Sequence, residues 1–478
     1  MEKVLNFIEG EFREPVGVAF LENYNPATGQ VYSLVSQSET QDVDMAVVAA
    51  KTALPAWKKM NADDRFRILN RIAELIERDL DKLAAAESRD QGKPVWLAKT
   101  EMQRAAQNFR FFATAAMQFA SESHQTDSRA INYTLRQPVG VVGCISPWNL
   151  PLYLFTWKIA PAMAAGNCVI AKPSEFTPFT AYMLGALCNE AGLPAGVLNI
   201  VHGLGSGVGQ AMVEHPEIKA ISFTGGTATG RHIASVAAPM FKKLSLELGG
   251  KNANIIFADA DLKEAVKTSV RSSFLNQGEI CLCGSRVFVE KPVYEKFKAE
   301  LLEELKQLKT GNPEDDAVRV GAIVSKQHFE KVLSYIILAK EEGGVVLTGG
   351  EAVTPAGFEQ GWFIAPTVIE GLGWNCRTNQ EEIFGPVITL IPFETEDEVL
   401  QMANSTAYGL ATTLWTGDLK RAHRMAEALE TGIVWVNCWL LRDLRTPFGG
   451  MKQSGVGREG GWEAMRFFTE PKNVCVAY

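Results

Sequence analysis

The chain has 478 residues, which at about 150 residues per domain predicts two to four domains. Its composition, 46% hydrophobic and 21% charged, excludes a disordered or collagen-like chain and indicates a globular protein. The formal net charge of −8 argues against a nucleic-acid partner.

The cysteines and the apolar runs indicate where the protein resides. Eight cysteines are scattered along the chain, mostly inside apolar runs, as is typical of reduced thiols. The first residues include acidic side chains and no apolar run of signal-peptide length. No apolar stretch approaches the roughly 20 residues that span a bilayer. We therefore expect a cytoplasmic protein without a membrane partner.

Helical periodicity fills residues 41–122. After a capping residue at Asn61, the side chains of Phe66, Leu69 and Ile72 fall on one helix face. From residue 139 the pattern changes to short apolar strands that alternate with helical segments, which predicts a parallel sheet covered on both faces. We expect these strands at 139–145, 168–172, 197–201, 220–224 and 244–248.

A second alternating series predicts a second α/β domain. Its strands are expected at 254–257, 286–290, 367–369, 387–393 and 433–437, with a helix around Phe297. The stretch 128–136 and the chain end at 473–476 also look extended, and two protruding strands could pair across subunits. We therefore predict a first domain from 1–122 and 139–249, a second domain from 250–446, and an arm from 123–138 and 462–478.

Two segments look reactive. Cys281 follows a helical stretch and stands near glycine in a polar turn, where a thiol is better placed for nucleophilic attack than in an apolar core. Glu247 interrupts an apolar strand before two glycines, and a carboxylate so placed tends to have a raised pKa and can act as a base. The alternatives are a buried structural thiol and a strand-end glutamate paired with a lysine. No second cysteine pair or nearby histidine supports a metal site.

Two further segments look suited to ligand binding. Gly225 and Gly226 stand between a strand and a helix, where backbone N–H groups can hold a pyrophosphate, although the strict Gly-x-Gly-x-x-Gly pattern is absent. Asn149 follows Pro147 and Trp148 at the end of a strand, and its amide could stabilise an oxyanion. A tight turn would explain each segment equally well by itself.

Taken together and in this order, the segments resemble the NAD(P)-dependent aldehyde dehydrogenase superfamily. The motifs are Leu-Glu-Leu-Gly-Gly-Lys around Glu247, Gln-Gly-Glu-Ile-Cys ending at Cys281, Pro-Trp-Asn ending at Asn149, and Glu-Glu-Ile-Phe-Gly-Pro from Glu381. The resemblance runs over nearly the whole chain. It implies a Rossmann-like NAD-binding domain, a second α/β catalytic domain and a small β oligomerisation arm, assembled as a homodimer or homotetramer.

The resemblance also implies a reaction. Cys281 would attack an aldehyde, Asn149 would stabilise the oxyanion, hydride would pass to NAD, and Glu247 would activate the water that hydrolyses the thioester. Because Glu175 would repel a 2′-phosphate, we expect NAD rather than NADP. By the same resemblance, the residues that bind the cofactor are Ile145, Trp148, Lys172, Glu175, Gly205, Gly225, Gly226, Glu382 and Phe384.

Within the superfamily, the segments around Arg110, Tyr153 and Arg442 are similar to those of 2-aminomuconate and 2-hydroxymuconate 6-semialdehyde dehydrogenases. Such a substrate carries a carboxylate, for which planar arginine is a suitable ligand. We predict this role for Arg110 and Arg442, with Arg445 as a rival. The alternatives are a general or betaine-type aldehyde dehydrogenase, an enzyme that passes the acyl group to coenzyme A, and a catalytically inactive structural relative.

Overall fold

The computed structural model describes residues 1–478 as an α/β protein with three main sheets. The strands are β1 Glu2–Val4, β2 Asn6–Ile8, β3 Glu11–Arg13, β4 Phe20–Asn25, β5 Gln30–Ser36, β6 Ser123–Thr126, β7 Ala130–Pro138, β8 Val141–Ile145, β9 Cys168–Lys172, β10 Leu198–Ile200, β11 Ile218–Thr224, β12 Lys243–Glu247, β13 Ala253–Ile256, β14 Arg286–Glu290, β15 Lys309–Thr310, β16 Val318–Val320, β17 Val345–Thr348, β18 Ala352–Val353, β19 Phe363–Ile364, β20 Thr367–Glu370, β21 Val387–Phe393, β22 Tyr408–Gly409, β23 Ala411–Trp415, β24 Ile433–Val436, β25 Met451–Lys452, β26 Gly455–Val456 and β27 Thr469–Ala477.

Fifteen helices accompany these strands. They are α1 Thr40–Lys59, α2 Ala62–Arg78, α3 Leu80–Gln91, α4 Val95–Gln118, α5 Pro151–Ala164, α6 Phe179–Glu190, α7 Gln210–Glu214, α8 Thr227–Ala237, α9 Leu262–Phe274, α10 Lys291–Leu305, α11 Lys326–Glu341, α12 Arg377–Gln380, α13 Glu396–Asn404, α14 Leu419–Ala428 and α15 Gly461–Phe467. Short helical turns also form at Gly205–Gly209, Ala238–Met240 and Leu275–Gly278.

The first sheet has the order β26-β12-β11-β8-β9-β10-β2-β3. Its five central strands are parallel, and every residue of β8 and β9 is buried because helices cover both faces. From β8 the chain adds β9 and β10 on one side and then β11 and β12 on the other, so the strand order reverses between β8 and β11. In open α/β sheets, ligands bind at the carboxyl ends of the strands at such a switch point. The loops after β8 and β11, which carry Asn149 and Gly225, both start there.

The second sheet has the order β17-β20-β21-β14-β13-β23-β24 and is parallel except for β17. The third sheet has the order β27-β7-β6 and is antiparallel, with β27 and β7 paired over nine residues. These sheets lie in the predicted second domain and arm, although β26, at 455–456, returns to the first sheet. The exact domain limits stay a prediction.

Most predicted elements form within two residues of their expected ends. Asn61 caps α2 by accepting a hydrogen bond from the backbone N–H of Asp64 at 2.8 Å. Several elements went unpredicted, among them β17 at 345–348 and β23 at 411–415 of the second sheet. The strands of residues 2–36 are mostly too short to show a period, and α15 begins at Gly461, which has a φ of +47° and follows a glycine-rich segment.

Candidate active site

Cys281 lies where two cavities meet. It follows α9 and the turn Leu275–Gly278, in which Asn276 and Gln277 both adopt left-handed backbone angles, with φ of 53° and 57°. Cys281 lines a cavity of about 240 Å³ on the side of the first sheet. It also lines a second cavity of about 160 Å³ beside α4 and α5. A ligand in either cavity can therefore reach the thiol.

Asn149 lines the larger cavity together with Cys281. Its backbone carbonyl accepts hydrogen bonds from Lys93 Nζ at 2.9 Å and from Asn276 Nδ2 at 3.0 Å. Its own side-chain amide donates to the carbonyl of Glu279 at 2.9 Å. These bonds hold the amide beside the thiol segment, where its second N–H is available to an oxyanion.

Glu247 ends β12 and lines the smaller cavity with Cys281. It is buried, and neither of its carboxylate oxygens has a hydrogen-bond partner. Burial, with the nearby charge of Glu459, raises the pKa of Glu247 well above its ordinary value. A buried carboxylate that lacks partners and has a raised pKa can act as a general base near a reacting centre.

The surroundings of Cys281 favour the neutral form of its thiol. Burial raises its pKa, and the carboxylates of Glu382 and Glu247 raise it further by disfavouring a second negative charge. Because the thiolate is the nucleophile, this site must lose a proton before it can react.

The larger cavity has the features of a dinucleotide site. Gly226 caps the N-terminus of α8, and an added Cβ at this glycine would meet no atom within 4 Å, so the helix end faces open space. The hydroxyls of Thr224 and Thr227 are buried there without partners. A helix N-terminus with free donors is suited to a pyrophosphate. Gly225 must lack a side chain, since a Cβ would lie 2.4 Å from the ring of Phe223.

At the other end of this cavity lie Trp148, Glu382 and Phe384. Glu382 accepts a hydrogen bond from the backbone N–H of Gly250 at 2.8 Å. The rings of Trp148 and Phe384 are 5.2 Å apart and perpendicular. A flat ring and a ribose with two hydroxyls would find apolar walls and an acceptor here, so these residues fit the nicotinamide half of NAD.

The remaining predicted cofactor residues lie outside the walls of this cavity. Lys172 and Glu175 form an ion pair at 3.1 Å after β9, next to the first sheet. Ile145 is buried at the end of β8 and pairs with Lys172 in the sheet. Gly205 begins a helical turn and has open space in front of its Cα. Their roles stay predictions.

Two arginines line the smaller cavity, Arg104 from α4 and Arg442 from the loop after β24. Arg442 donates to the hydroxyl of Tyr153 at 2.7 Å. Its guanidinium lies 4.2 Å from the ring centre of Phe448 and 5.1 Å from that of Trp157. Arg442 has no carboxylate partner among the ion pairs, so its charge is available to an anionic ligand.

The structure does not bring the other two predicted arginines into this cavity. Arg110 forms an ion pair with Glu77 of α2, and Arg445 pairs with Asp443 at 2.6 Å. Both guanidiniums are paired outside the residues that line this cavity, so the geometry does not support a substrate-binding role for Arg110 or Arg445, and that role stays a prediction. Arg104 had gone unpredicted, although Leu97, Glu101 and Arg104 share one face of α4 at spacings of four and three, a signal readable from the sequence.

Comparisons with known proteins show which family the chain belongs to. Residues 12–474 match the model of the aldehyde dehydrogenase family, and the chain belongs to this family. The chain is 50% identical to the 2-aminomuconic semialdehyde dehydrogenase of Homo sapiens, over 99% of this chain and 98% of that protein. It is 47% identical to the 2-hydroxymuconic semialdehyde dehydrogenase of Pseudomonas sp. (strain CF600), over the full length of both.

Solved structures of the family have the same fold as this chain. The structure of an aldehyde dehydrogenase from Bacillus cereus in complex with NAD⁺ superimposes with a TM-score of 0.97 at 39% identity, over 100% of this chain and 97% of that one. The predicted family and fold class are confirmed. Among the helices of the chain, none combines the length and the apolar character that a membrane span requires.

Proposed function

We propose that this protein oxidises a carboxylate-bearing semialdehyde of the 2-aminomuconate or 2-hydroxymuconate type to the acid, with NAD as the hydride acceptor. One observation carries the proposal: Cys281 joins a cavity that fits a dinucleotide to a second cavity lined by Arg104 and Arg442. Relatives at 50% and 47% identity bear the names of such enzymes. A substrate with an aldehyde at one end and a carboxylate at the other matches this arrangement.

The chain's own residues suffice for the covalent steps. Once the thiol proton of Cys281 has passed to solvent water, the thiolate sulfur bonds to the aldehyde carbon, and the resulting oxyanion accepts hydrogen bonds from the Asn149 amide and the backbone N–H of Cys281. Trp148, Gly226 and Phe384 would hold NAD in the larger cavity, where it would supply the hydride acceptor for that carbon, and a thioester would remain on Cys281. Glu247 then takes a proton from water as the water oxygen attacks, the carbon–sulfur bond breaks, and the acid leaves.

NAD rather than NADP is proposed on the charge of Glu175. This carboxylate follows β9 close to Lys172, which the resemblance assigns to the adenosine ribose. A 2′-phosphate brought there would be repelled by Glu175.

The alternatives fit the cavity less well. A betaine-type substrate carries a permanent cation, which the guanidinium of Arg442 among Tyr153, Trp157 and Phe448 would repel. Transfer to coenzyme A would leave Glu247 without a purpose, since no water need be activated. A catalytically inactive relative would have no use for the raised pKa and unpartnered oxygens of Glu247.

Assembly and location are part of the proposal. The face of β7 that carries Ile131, Tyr133 and Leu135 is exposed, and these apolar side chains are 36% to 40% accessible. An exposed apolar strand face next to long edge strands supports a homodimer or homotetramer built through the arm. Eight free cysteines support a reducing compartment, and we propose the cytoplasm.

The test is a comparison of substrates and cofactors. We expect the purified protein to reduce NAD with 2-hydroxymuconate 6-semialdehyde at a kcat/KM at least roughly tenfold above that for hexanal, because charged hydrogen bonds to the carboxylate contribute about 1.5–3 kcal/mol. With NADP in place of NAD, we expect a much lower kcat/KM. Equal kcat/KM for the two aldehydes would contradict the proposed substrate class.

A further inference from the structure

The smaller cavity contains one carboxylate that the mechanism does not use. Glu101 of α4 lines this cavity and is only 5% exposed. Its Oε2 accepts a hydrogen bond from Lys93 Nζ at 2.5 Å, whereas its Oε1 is buried with no hydrogen-bond partner. The other acids of the cavity are accounted for, because Glu247 is the proposed base and Glu459 accepts from Lys158 at 2.7 Å.

A buried carboxylate oxygen without a partner is costly, and native proteins rarely retain one. Lys93 does not satisfy Oε1, because this lysine binds Oε2 and the backbone carbonyl of Asn149. The free lone pairs of Oε1 can therefore accept a hydrogen bond from a ligand in the cavity.

The neighbours of Glu101 indicate what the ligand carries. Arg104 lies three residues further along α4, on the same helix face, and lines the same cavity. One helical turn thus offers a cationic donor for a carboxylate and, next to it, an anionic acceptor. The complementary ligand has a carboxylate with an N–H or O–H donor close to it.

We propose that Glu101 Oε1 accepts a hydrogen bond from an amino or hydroxyl group on the carbon that bears the substrate carboxylate, so that Glu101 selects 2-substituted semialdehydes. This inference rests on the proposed function, in which Arg104 binds that carboxylate. Glu101 then determines specificity within the class of carboxylated aldehydes.

A purely structural role for Glu101 makes a different prediction. Glu101 could serve only to neutralise Lys93, which in turn holds the backbone of Asn149. Loss of that function would disturb the oxyanion site and lower kcat/KM for every aldehyde by the same factor. If Glu101 instead recognises the 2-substituent, its replacement would lower kcat/KM only for aldehydes that carry the amino or hydroxyl donor.

The variant Glu101→Gln separates these roles because it is nearly isosteric. Lys93 has only donors, so it must bind the amide oxygen, and the NH₂ group then faces the cavity in place of Oε1. The amino or hydroxyl donor of a 2-substituted substrate would then face the NH₂ group of the variant, which is also a donor. A substrate without that donor would find a cavity of the same shape as in the wild type.

The experiment measures kcat/KM for two carboxylated six-carbon aldehydes in the wild type and in Glu101→Gln. One aldehyde is 2-hydroxymuconate 6-semialdehyde, at a pH at which its enol keeps its proton, and the other is 6-oxohexanoate, which lacks the 2-substituent. We expect a loss of roughly 10- to 100-fold for the first and less than about threefold for the second. Equal losses for both aldehydes would overturn the proposal.

The control variant is Glu77→Gln on α2. It removes a carboxylate that lies outside the cavity and pairs with Arg110 of α4, the helix that also carries Glu101. It should leave the ratio of the two kcat/KM values unchanged. If Glu101→Gln does not fold, as judged by circular dichroism, Glu101→Asp provides the same test, since its shorter side chain keeps Lys93 but withdraws from the cavity. An unchanged ratio in that variant also overturns the proposal.

Failure of this inference is distinguishable from failure of the proposed function. If the wild type prefers both carboxylated aldehydes over hexanal but Glu101→Gln slows them equally, the carboxylate site stands and only the role of Glu101 is lost. If the wild type shows no preference over hexanal, the substrate class itself is wrong.

Discussion

At the scale of single residues, the site depends on two groups whose surroundings raise their pKa values, Glu247 and Cys281. Glu247 has no hydrogen-bond partner for either oxygen, and Cys281 is half-buried near the carboxylates of Glu382 and Glu247. Both environments disfavour the charged form. Such unfavourable burial lowers the stability of the fold, and it is common in active sites, where proton transfer requires shifted pKa values.

The base can be tested separately from the nucleophile. We expect Glu247→Gln to release one equivalent of NADH in a burst and then to turn over roughly 10²- to 10⁴-fold more slowly than the wild type, because the thioester forms but is not hydrolysed. Stopped-flow absorbance at the NADH band measures both phases. Cys281→Ala is the control and should show no burst. Steady turnover by Glu247→Gln at the wild-type rate would exclude Glu247 as the base.

The raised pKa values also predict how the rate depends on pH. Because burial raises the pKa of Cys281 and of Glu247, their reactive, deprotonated forms become more abundant as pH rises. In the absence of cofactor, alkylation of Cys281 by iodoacetamide should therefore accelerate continuously from neutral into alkaline pH. Mass spectrometry of the tryptic peptide measures the rate. A plateau that begins below pH 7 would contradict a raised thiol pKa.

At the scale of elements, the rotation of helix α4 decides which of its arginines lines the smaller cavity. Arg104 lies on the face of α4 that lines the smaller cavity, whereas Arg110, six residues further, forms an ion pair with Glu77 of α2. Six residues correspond to 600° of rotation at 3.6 residues per turn, so the two side chains leave the helix about 120° apart. The same helix thus presents one arginine to the smaller cavity and another to a neighbouring helix.

A matched pair of variants tests this assignment. Arg104→Gln should raise KM for 2-hydroxymuconate 6-semialdehyde roughly 10- to 100-fold and leave KM for hexanal unchanged, because only the first substrate has a carboxylate to bind. Arg110→Gln should leave both KM values unchanged, since it removes only a surface ion pair worth less than about 1 kcal/mol. Steady-state kinetics with NAD measures all four values. The reverse pattern would restore Arg110 as the ligand.

At the scale of the whole molecule, the arm formed by β6, β7 and β27 exposes apolar side chains that a monomer would leave in water. Tyr133→Arg and Leu135→Arg place charges on that face, and we expect the double variant to elute with the mass of a monomer. Size-exclusion chromatography with light scattering measures the mass. The variant Glu122→Gln, outside that apolar face, is the control and should keep the wild-type mass. An unchanged mass in the double variant would place the interface elsewhere.

The sequence alone determined the alternation of strands and helices and the family, and it singled out the residues predicted to be nucleophile, base and oxyanion donor. These follow from signals that are local in the chain: hydrophobic period, turn glycines, and the motifs around Asn149, Glu247 and Cys281. Only the tertiary structure decided which arginines line the smaller cavity and that Lys93 ties Glu101 to Asn149. Those facts depend on the rotation of α4 against its neighbours, and packing between distant segments sets that rotation.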